Sequence, residues 1–143
     1  MSKYLDIFNE SISHKEDFWA EVAKDVIWYQ PFDKVLHTDG PPFYQWFKNG
    51  KINTCYNALD RYVDEGNGER LALIYDSPIT GNKNTYTYSV MRDRVAIIAG
   101  ALKNQGVAKG DRVIIYMPMI PEAVMAILAC ARIAITASGI IGI

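Results

Sequence analysis

Arg112-Val113-Ile114-Ile115-Tyr116-Met117-Pro118-Met119-Ile120-Pro121-Glu122-Ala123-Val124-Met125-Ala126-Ile127-Leu128-Ala129-Cys130-Ala131-Arg132 is the stretch on which the fold turns. Residues 113–116 are an unbroken apolar run, the pattern of a strand in a parallel sheet covered on both faces. Pro118 ends the run, and Pro121 opens a helix at its first position, with Glu122 in the first turn where the helix dipole favours an acid. Val124, Ile127, Leu128 and Ala131 are expected on its inward face. A further strand over residues 133–137 would complete a right-handed βαβ unit. In open α/β sheets ligands sit beyond the carboxyl ends of the parallel strands. That edge falls at residues 117–121 and after Ala137.

Upstream, Met91, Val95, Ile98 and Leu102 mark one face of a helix that Gly106 stops. Before it, residues 71–75 form a short apolar strand, the clusters Asp76-Ser77-Pro78 and Gly81-Asn82 turn the chain, and residues 86–88 return as a hairpin partner. The first 62 residues follow a different grammar and hold most of the aromatic rings. Phe18, Val22 and Val26 recur at helical spacing with Trp19 beside them, and Ser13 with Glu16 has the form of a capping box. The Gln30-Pro31 step then ends that helix. Residues 38–53 read as loop, because Asp39-Gly40-Pro41-Pro42 and Lys48-Asn49-Gly50-Lys51 are turn-forming. A second helix is expected from Asn53 or Thr54 to Val63, with Ala58, Leu59 and Tyr62 inside and Gly66 past its end. Two short helices cannot bury so many rings between themselves, so this arm is expected to lie across something larger.

The chain has 143 residues, 50% of them apolar, which is about one domain's length with enough apolar side chains for a core. Fifteen Lys and Arg against sixteen Asp and Glu leave a net charge of -1, which excludes a basic nucleic-acid binder and an acidic disordered tail. The apolar-rich stretch of residues 133–143, interrupted by Thr136 and Ser138, is shorter than the roughly 20 residues of a membrane-spanning helix. Neither nucleic acid nor membrane is expected as a partner. The start of the chain has Asp6 early and no basic flank before an apolar stretch, so no secretory signal is expected and a cytoplasmic location is. Cys55 and Cys130 fit neither a disulfide framework nor a zinc spacing, in keeping with a reducing compartment.

Few residues carry chemistry by pattern. Gly106 and Gly110 lack the Lys-Ser/Thr ending of a phosphate loop, and Gly139 and Gly142 lack the helix such a loop must open. His14 and His37 have no neighbouring ligands at metal spacing. Asp60 beside Arg61 reads as a local salt bridge rather than a catalytic carboxylate. Cys130 reads as a small buried apolar residue, and Arg132 as a cation stabilising the C-terminal end of its helix rather than an anion ligand. No catalytic, cofactor-binding or metal residue is assigned.

Strings in a fixed order go further. Trp46-Phe47-Lys48-Asn49-Gly50-Lys51-Ile52-Asn53, Tyr56-Asn57-Ala58-Leu59-Asp60-Arg61, Thr85-Tyr86 and Gly106-Val107-Ala108-Lys109-Gly110-Asp111-Arg112-Val113 come first. Tyr116-Met117-Pro118-Met119-Ile120-Pro121-Glu122 and Leu128-Ala129-Cys130-Ala131-Arg132-Ile133 come after them. Together, over about residues 4–133, they resemble the N-terminal part of the AMP-forming short-chain acyl-CoA synthetases. Cys55-Tyr56-Asn57-Ala58, Ile74-Tyr75-Asp76-Ser77-Pro78 and Met117-Pro118-Met119-Ile120-Pro121 are similar to the propionyl-CoA branch rather than the acetate enzymes.

The resemblance implies an α/β fold: a helical, aromatic-rich arm over residues 1–66, then, over residues 67–143, a β-hairpin and a βαβ unit that begin an adenylate-forming domain. It implies ATP, Mg2+ and coenzyme A, and a short-chain carboxylate as the partner molecule. The family's phosphate loop, nucleotide motifs, carboxylate pocket and catalytic lysine belong to later segments, so these residues alone are expected to be inactive. After Ile133 the family usually reads Gly-Ala-Ile-His-Ser and then Phe-Gly-Gly, whereas this chain reads Ala134-Ile135-Thr136-Ala137-Ser138-Gly139-Ile140-Ile141-Gly142-Ile143; without gaps only Ser138 and Gly142 match. Residues 135–140 also resemble a strand that the family places some tens of residues later. The competing expectation is a truncated, non-catalytic binding or assembly module. Self-association is expected of a partial sheet with a bare edge and an apolar face.

Overall fold

The computed structural model describes residues 3–134 and 136–141. The chain divides into two compact units, one ending at Ile52 and the next beginning at Asn53. The expected division was at residue 66. The helical segment before it shares its buried residues Cys55 and Leu59 with the helices that come later, and so belongs to the second unit.

In the first unit, α1 (Lys3–Ser13) runs into α2 (Lys15–Val22) and a single 3-10 turn (Ala23–Asp25). The expected capping box does not form. Ser13 is the last residue of α1, and His14 sits at the N-cap of α2 without a side-chain cap. The reason is local: His14 N–H donates to the Glu10 carbonyl at 3.0 Å and Phe18 N–H to that of His14 at 2.9 Å, so the helical ladder barely breaks and no donor waits for a serine. The second helix also ends earlier than expected, because Val26 is already extended, with φ -97° and ψ 134°.

Residues 38–53, expected as loop, contain a strand. β1 (Lys34–His37) pairs antiparallel with β2 (Gln45–Lys48), with Leu36 opposite Trp46, and the turn cluster at residues 39–42 lies in their connection. Four-residue strands are too short for alternation to show in sequence. Cross-strand and ring contacts stabilise the pair. Trp28 packs against Phe32 at 5.0 Å and Phe47 at 5.6 Å between ring centres, and its indole N–H donates to the Ala23 carbonyl at 2.9 Å.

The second unit matches the expected grammar more closely. A π-helical turn (Tyr56–Asp60) continues into α3 (Arg61–Asp64), after which Gly66 takes φ +80°. β3 (Leu71–Asp76) and β4 (Lys83–Thr87) make the antiparallel hairpin. Its second strand starts and stops earlier than residues 86–88, because the Thr87 hydroxyl accepts from Val90 N–H at 3.4 Å and so caps α4 (Tyr88–Asn104). Gly106, at φ +86°, comes just after the C-cap of α4, a conformation that costs a side chain but not glycine. β5 (Arg112–Met117), α5 (Pro121–Arg132) and β6 (Thr136–Ile141) form a βαβ unit, with the two strands parallel and Ile115 opposite Gly139.

The core lies where α4 and α5 cross the helical segment: Cys55, Leu59, Met91, Val95, Ala99, Met125 and Ala129 are buried together. A smaller cluster joins Ile115 to Cys130 beneath β5. Each large apolar side chain contributes about 1.5–3 kcal/mol when fully buried. One face of β5 is left bare, with Ile114 and Tyr116 more than two-thirds exposed.

β6 begins three positions later than the expected residue 133, because α5 keeps its helical turns through Arg132 and Ala134 then adopts φ +58°. That is the left-handed region, where a Cβ meets its own carbonyl, and it is the position at which the resembling family reads glycine. Ala134→Gly is therefore expected to raise stability by about 0.5–1 kcal/mol, the steric relief exceeding glycine's extra unfolded-state entropy. The urea midpoint checks it; an unchanged or lower midpoint would mean that Ala134 carries no strain.

Candidate functional site

Two places on the second unit are candidates for a site. The first is the carboxyl end of β5. Beyond Met117, residues 118–120 loop into α5, with Ile120 N–H bonded to the Pro118 carbonyl at 2.8 Å. Beside this loop lies a shallow cleft of about 140 Å³ lined by Leu73, Ile74 and Tyr75 of β3 and by Met119, Ile120, Pro121 and Val124. Such a lining can hold an apolar group but offers no cation for a phosphate and no base or nucleophile for acyl chemistry.

The second is a polar cluster at the C-terminal end of α5. Arg132 Nη2 donates to both carboxylate oxygens of Asp60, at 2.8 and 2.7 Å, and both side chains are more than two-thirds buried. Asn53 Nδ2 donates to the main-chain carbonyl of Arg132 at 3.0 Å, while Asn53 Oδ1 accepts from Tyr56 N–H at 3.0 Å. Cys55 Sγ lies 3.9 Å from Asp60 Oδ2. Burial pushes the Cys55 thiol above its ordinary value, and the nearby guanidinium offsets this only in part. For Arg132, burial works against the charge, but the hydrogen bond to Asp60 and the attraction of that carboxylate outweigh it and hold the guanidinium above its ordinary value. Cys55 is thus a neutral thiol at physiological pH, unsuited to act as a nucleophile.

This arrangement corrects one sequence reading and adds a partner to another. Asp60 does not bond its neighbour Arg61; the Arg61 guanidinium lies over the Tyr62 ring at 5.0 Å, with Nε 3.9 Å from Glu65 Oε1. Arg132 stands in the last turn of α5, as expected, and there turns back onto Asp60, because a carboxylate largely buried against the helix end offers a better partner than water. No sequence signal could have joined them, since 72 positions separate the two. Cys130 is fully buried beside Ile115, and burial pushes its thiol up as well. His14 Nδ1 lies 3.3 Å from Glu10 Oε1, and His37 Nδ1 3.5 Å from Asp39 Oδ2. Of the glycines weighed as phosphate cradles, Gly110 is a turn at φ +104° and Gly142 lies outside the described residues. The Ile135–Gly142 part of the alternative alignments is likewise only partly within them.

Comparison with known proteins decides the family. Residues 60–140, which include the cleft beside β5 and both Asp60 and Arg132, match the family model described as AMP-binding enzyme, and residues 4–58, which include Asn53 and Cys55, match that described as acetyl-coenzyme A synthetase N-terminus. The chain belongs to the AMP-binding enzymes. Among members of that family, the mitochondrial acyl-CoA synthetase short-chain family member 3 of Rattus norvegicus is 46% identical over 140 residues, 98% of this chain and 20% of that protein. The acetyl-coenzyme A synthetase of Burkholderia lata is 44% identical over 143 residues, 99% of this chain and 22% of that protein. A solved acetoacetyl-CoA synthetase from Streptomyces lividans superposes with a TM-score of 0.84 at 30% identity, covering 99% of this chain and 22% of that one. The chain thus spans about a fifth of the length of the AMP-binding relatives it matches. Its α/β fold is that of the corresponding region of an acyl-CoA synthetase. No helix among the described residues is long and apolar enough to cross a membrane.

Proposed function

We propose that these residues are the opening part of an ATP-dependent ligase that activates a short-chain carboxylate, propionate before acetate, and passes it to coenzyme A. The observation that carries this reading is the tandem match, an acetyl-coenzyme A synthetase N-terminus over residues 4–58 and, without a gap of consequence, an AMP-binding segment over residues 60–140. The preference for propionate is supported by the strings at residues 55–58, 74–78 and 117–121. In such a reaction the carboxylate attacks the α-phosphorus of ATP and pyrophosphate leaves. The coenzyme thiolate then attacks the acyl carbonyl, and AMP departs as a good leaving group.

These residues supply scaffold rather than reacting groups. The cleft beside β5 is apolar and carries no lysine, arginine, serine or threonine, so it does not fit a triphosphate. Among the described residues, no three His, Cys, Asp or Glu side chains gather where a metal ion could be held, so Mg2+ has no ligands to assign in them. No chemical step is routed through this segment. Its part is to build the first parallel strands on which later segments assemble.

The test is ATP–pyrophosphate exchange. The 143-residue polypeptide alone is expected to show none with propionate or acetate, and measurable exchange would overturn the assignment of a scaffold role. A chimera in which residues 4–133 replace the matching segment of the Burkholderia lata acetyl-coenzyme A synthetase is expected to keep exchange within about tenfold, since core-compatible swaps preserve a fold. A soluble, folded but inert chimera would sink the ligase reading. Propionate preference is read from the whole enzyme of which this segment is part, and faster exchange with acetate would refute it.

A further inference from the structure

We propose that Asp60, Arg132 and Asn53 are positioning residues that fix the start and the ligand-side end of β6. The last carbonyl groups of a helix have no partner within it, and a helix end left this way frays. At the end of α5 both halves of one residue are held. The Arg132 side chain is bonded to Asp60 at 2.8 and 2.7 Å, and its main-chain carbonyl is bonded to Asn53 at 3.0 Å. Asn53 is itself fixed by accepting from Tyr56 N–H at 3.0 Å, so the anchor is a helical turn rather than a loose side chain.

The strand beyond that anchor depends on it. Ala134, at φ +58°, lies between Arg132 and the first residue of β6, and among the described residues β6 pairs with β5 alone. A strand bonded on one side has little of its own to set its register, and a slip of one residue would move every side chain to the other face. Holding Arg132 sets the point from which β6 departs, and with it the height of its carboxyl end beside that of β5. The inference rests on the fold and stands apart from the ligase reading, because its measurement uses no substrate.

Amide hydrogen exchange on the 143-residue chain tests it, with the β6 amides compared against those of α4. Arg132→Met keeps the length and apolar stem but removes the donor; it is expected to speed exchange in β6 by about tenfold relative to α4. Arg132→Lys, whose ammonium is a point donor that can reach one carboxylate oxygen, is expected to restore part of that loss. A packing role alone would treat Met and Lys alike. Equal exchange in the two variants, or a rise shared equally by α4, overturns the proposal. Asn53→Ala leaves the ion pair in place and is expected to speed β6 exchange about threefold relative to α4 through loss of one hydrogen bond. It decides the matter should the Arg132 variants fail to fold, and β6 exchange unchanged relative to α4 in Asn53→Ala also overturns the proposal.

Discussion

Met125→Ala is expected to cost about 3 kcal/mol, within the roughly 2–5 kcal/mol that truncating a buried methionine typically removes. Met125 is 1% exposed and sits among Cys55, Leu59, Met91, Val95, Ala99 and Ala129, so it is shared by α4, α5 and the helical segment before them. Alanine would leave a void bounded by side chains from α4, α5 and the helical segment before them, which cannot all collapse into it. For a chain of this size, the loss corresponds to a melting-temperature drop of about 10 °C. Ile127→Ala, two positions away on α5, is the control. Ile127 is 47% exposed, and its truncation should cost well under about 1 kcal/mol. Thermal and urea unfolding of the two variants side by side decide the point. Equal losses would mean that α5 presents a different face to the core.

That pair of positions also shows where the sequence stops being legible. Pro121 and Glu122 announce the start of α5, and the proline-bounded apolar run announces β5. Within α5, however, residues 123–131 are apolar without exception, so periodicity has no polar face to contrast with. The inward residues expected were Val124, Ile127, Leu128 and Ala131. The structure packs Val124, Leu128 and Ala131 against the core, buries Met125 and Ala129 inside it, and turns Ile127 outward. On α4 the contrast exists: Asp93 and Arg94 lie beside Met91 and Val95, and the expected face is the buried one. The polar cluster was out of reach for another reason. A residue's nearest charged neighbour in sequence is a fair guess at its partner only when the fold brings nothing better, and here the crossover returns Arg132 to Asp60. Likewise β2 hides between two turn clusters: residues 39–42 form its connection to β1 and residues 49–51 follow it, so of those turn residues only Lys48 falls within the strand. The family resemblance was legible from short strings, because it depends on identity at scattered positions rather than on burial.

Gly50→Ala should destabilise the first unit by about 2 kcal/mol, near the middle of the roughly 1–3 kcal/mol that forcing an extra methyl into a packed site costs. A Cβ built at Gly50 would lie 2.9 Å from Trp28 Cε3, nearer still to its Cζ3, and 3.0 Å from the Phe47 carbonyl oxygen. A clash with the end of a flexible side chain relaxes cheaply, but this ring is not such an end. Trp28 is pinned by its indole N–H on the Ala23 carbonyl and by ring contacts to Phe32 and Phe47, which themselves lie 5.0 Å apart. To admit the methyl, the indole must give up its hydrogen bond, worth about 1 kcal/mol, or push both phenyl rings outward. The backbone here has no slack either, since Asn49 already stands at φ +65° and Gly50 N–H donates to the Phe47 carbonyl at 3.0 Å. Gly40→Ala is the matched control within the same unit: its Cβ would meet nothing closer than 3.7 Å. Tryptophan fluorescence during urea unfolding reads the effect directly, because the indole that must move is one of the reporters. A Gly50→Ala midpoint equal to that of Gly40→Ala would show that Trp28 is free to shift, and that the ring cluster does not hold β2 against the segment around residue 28.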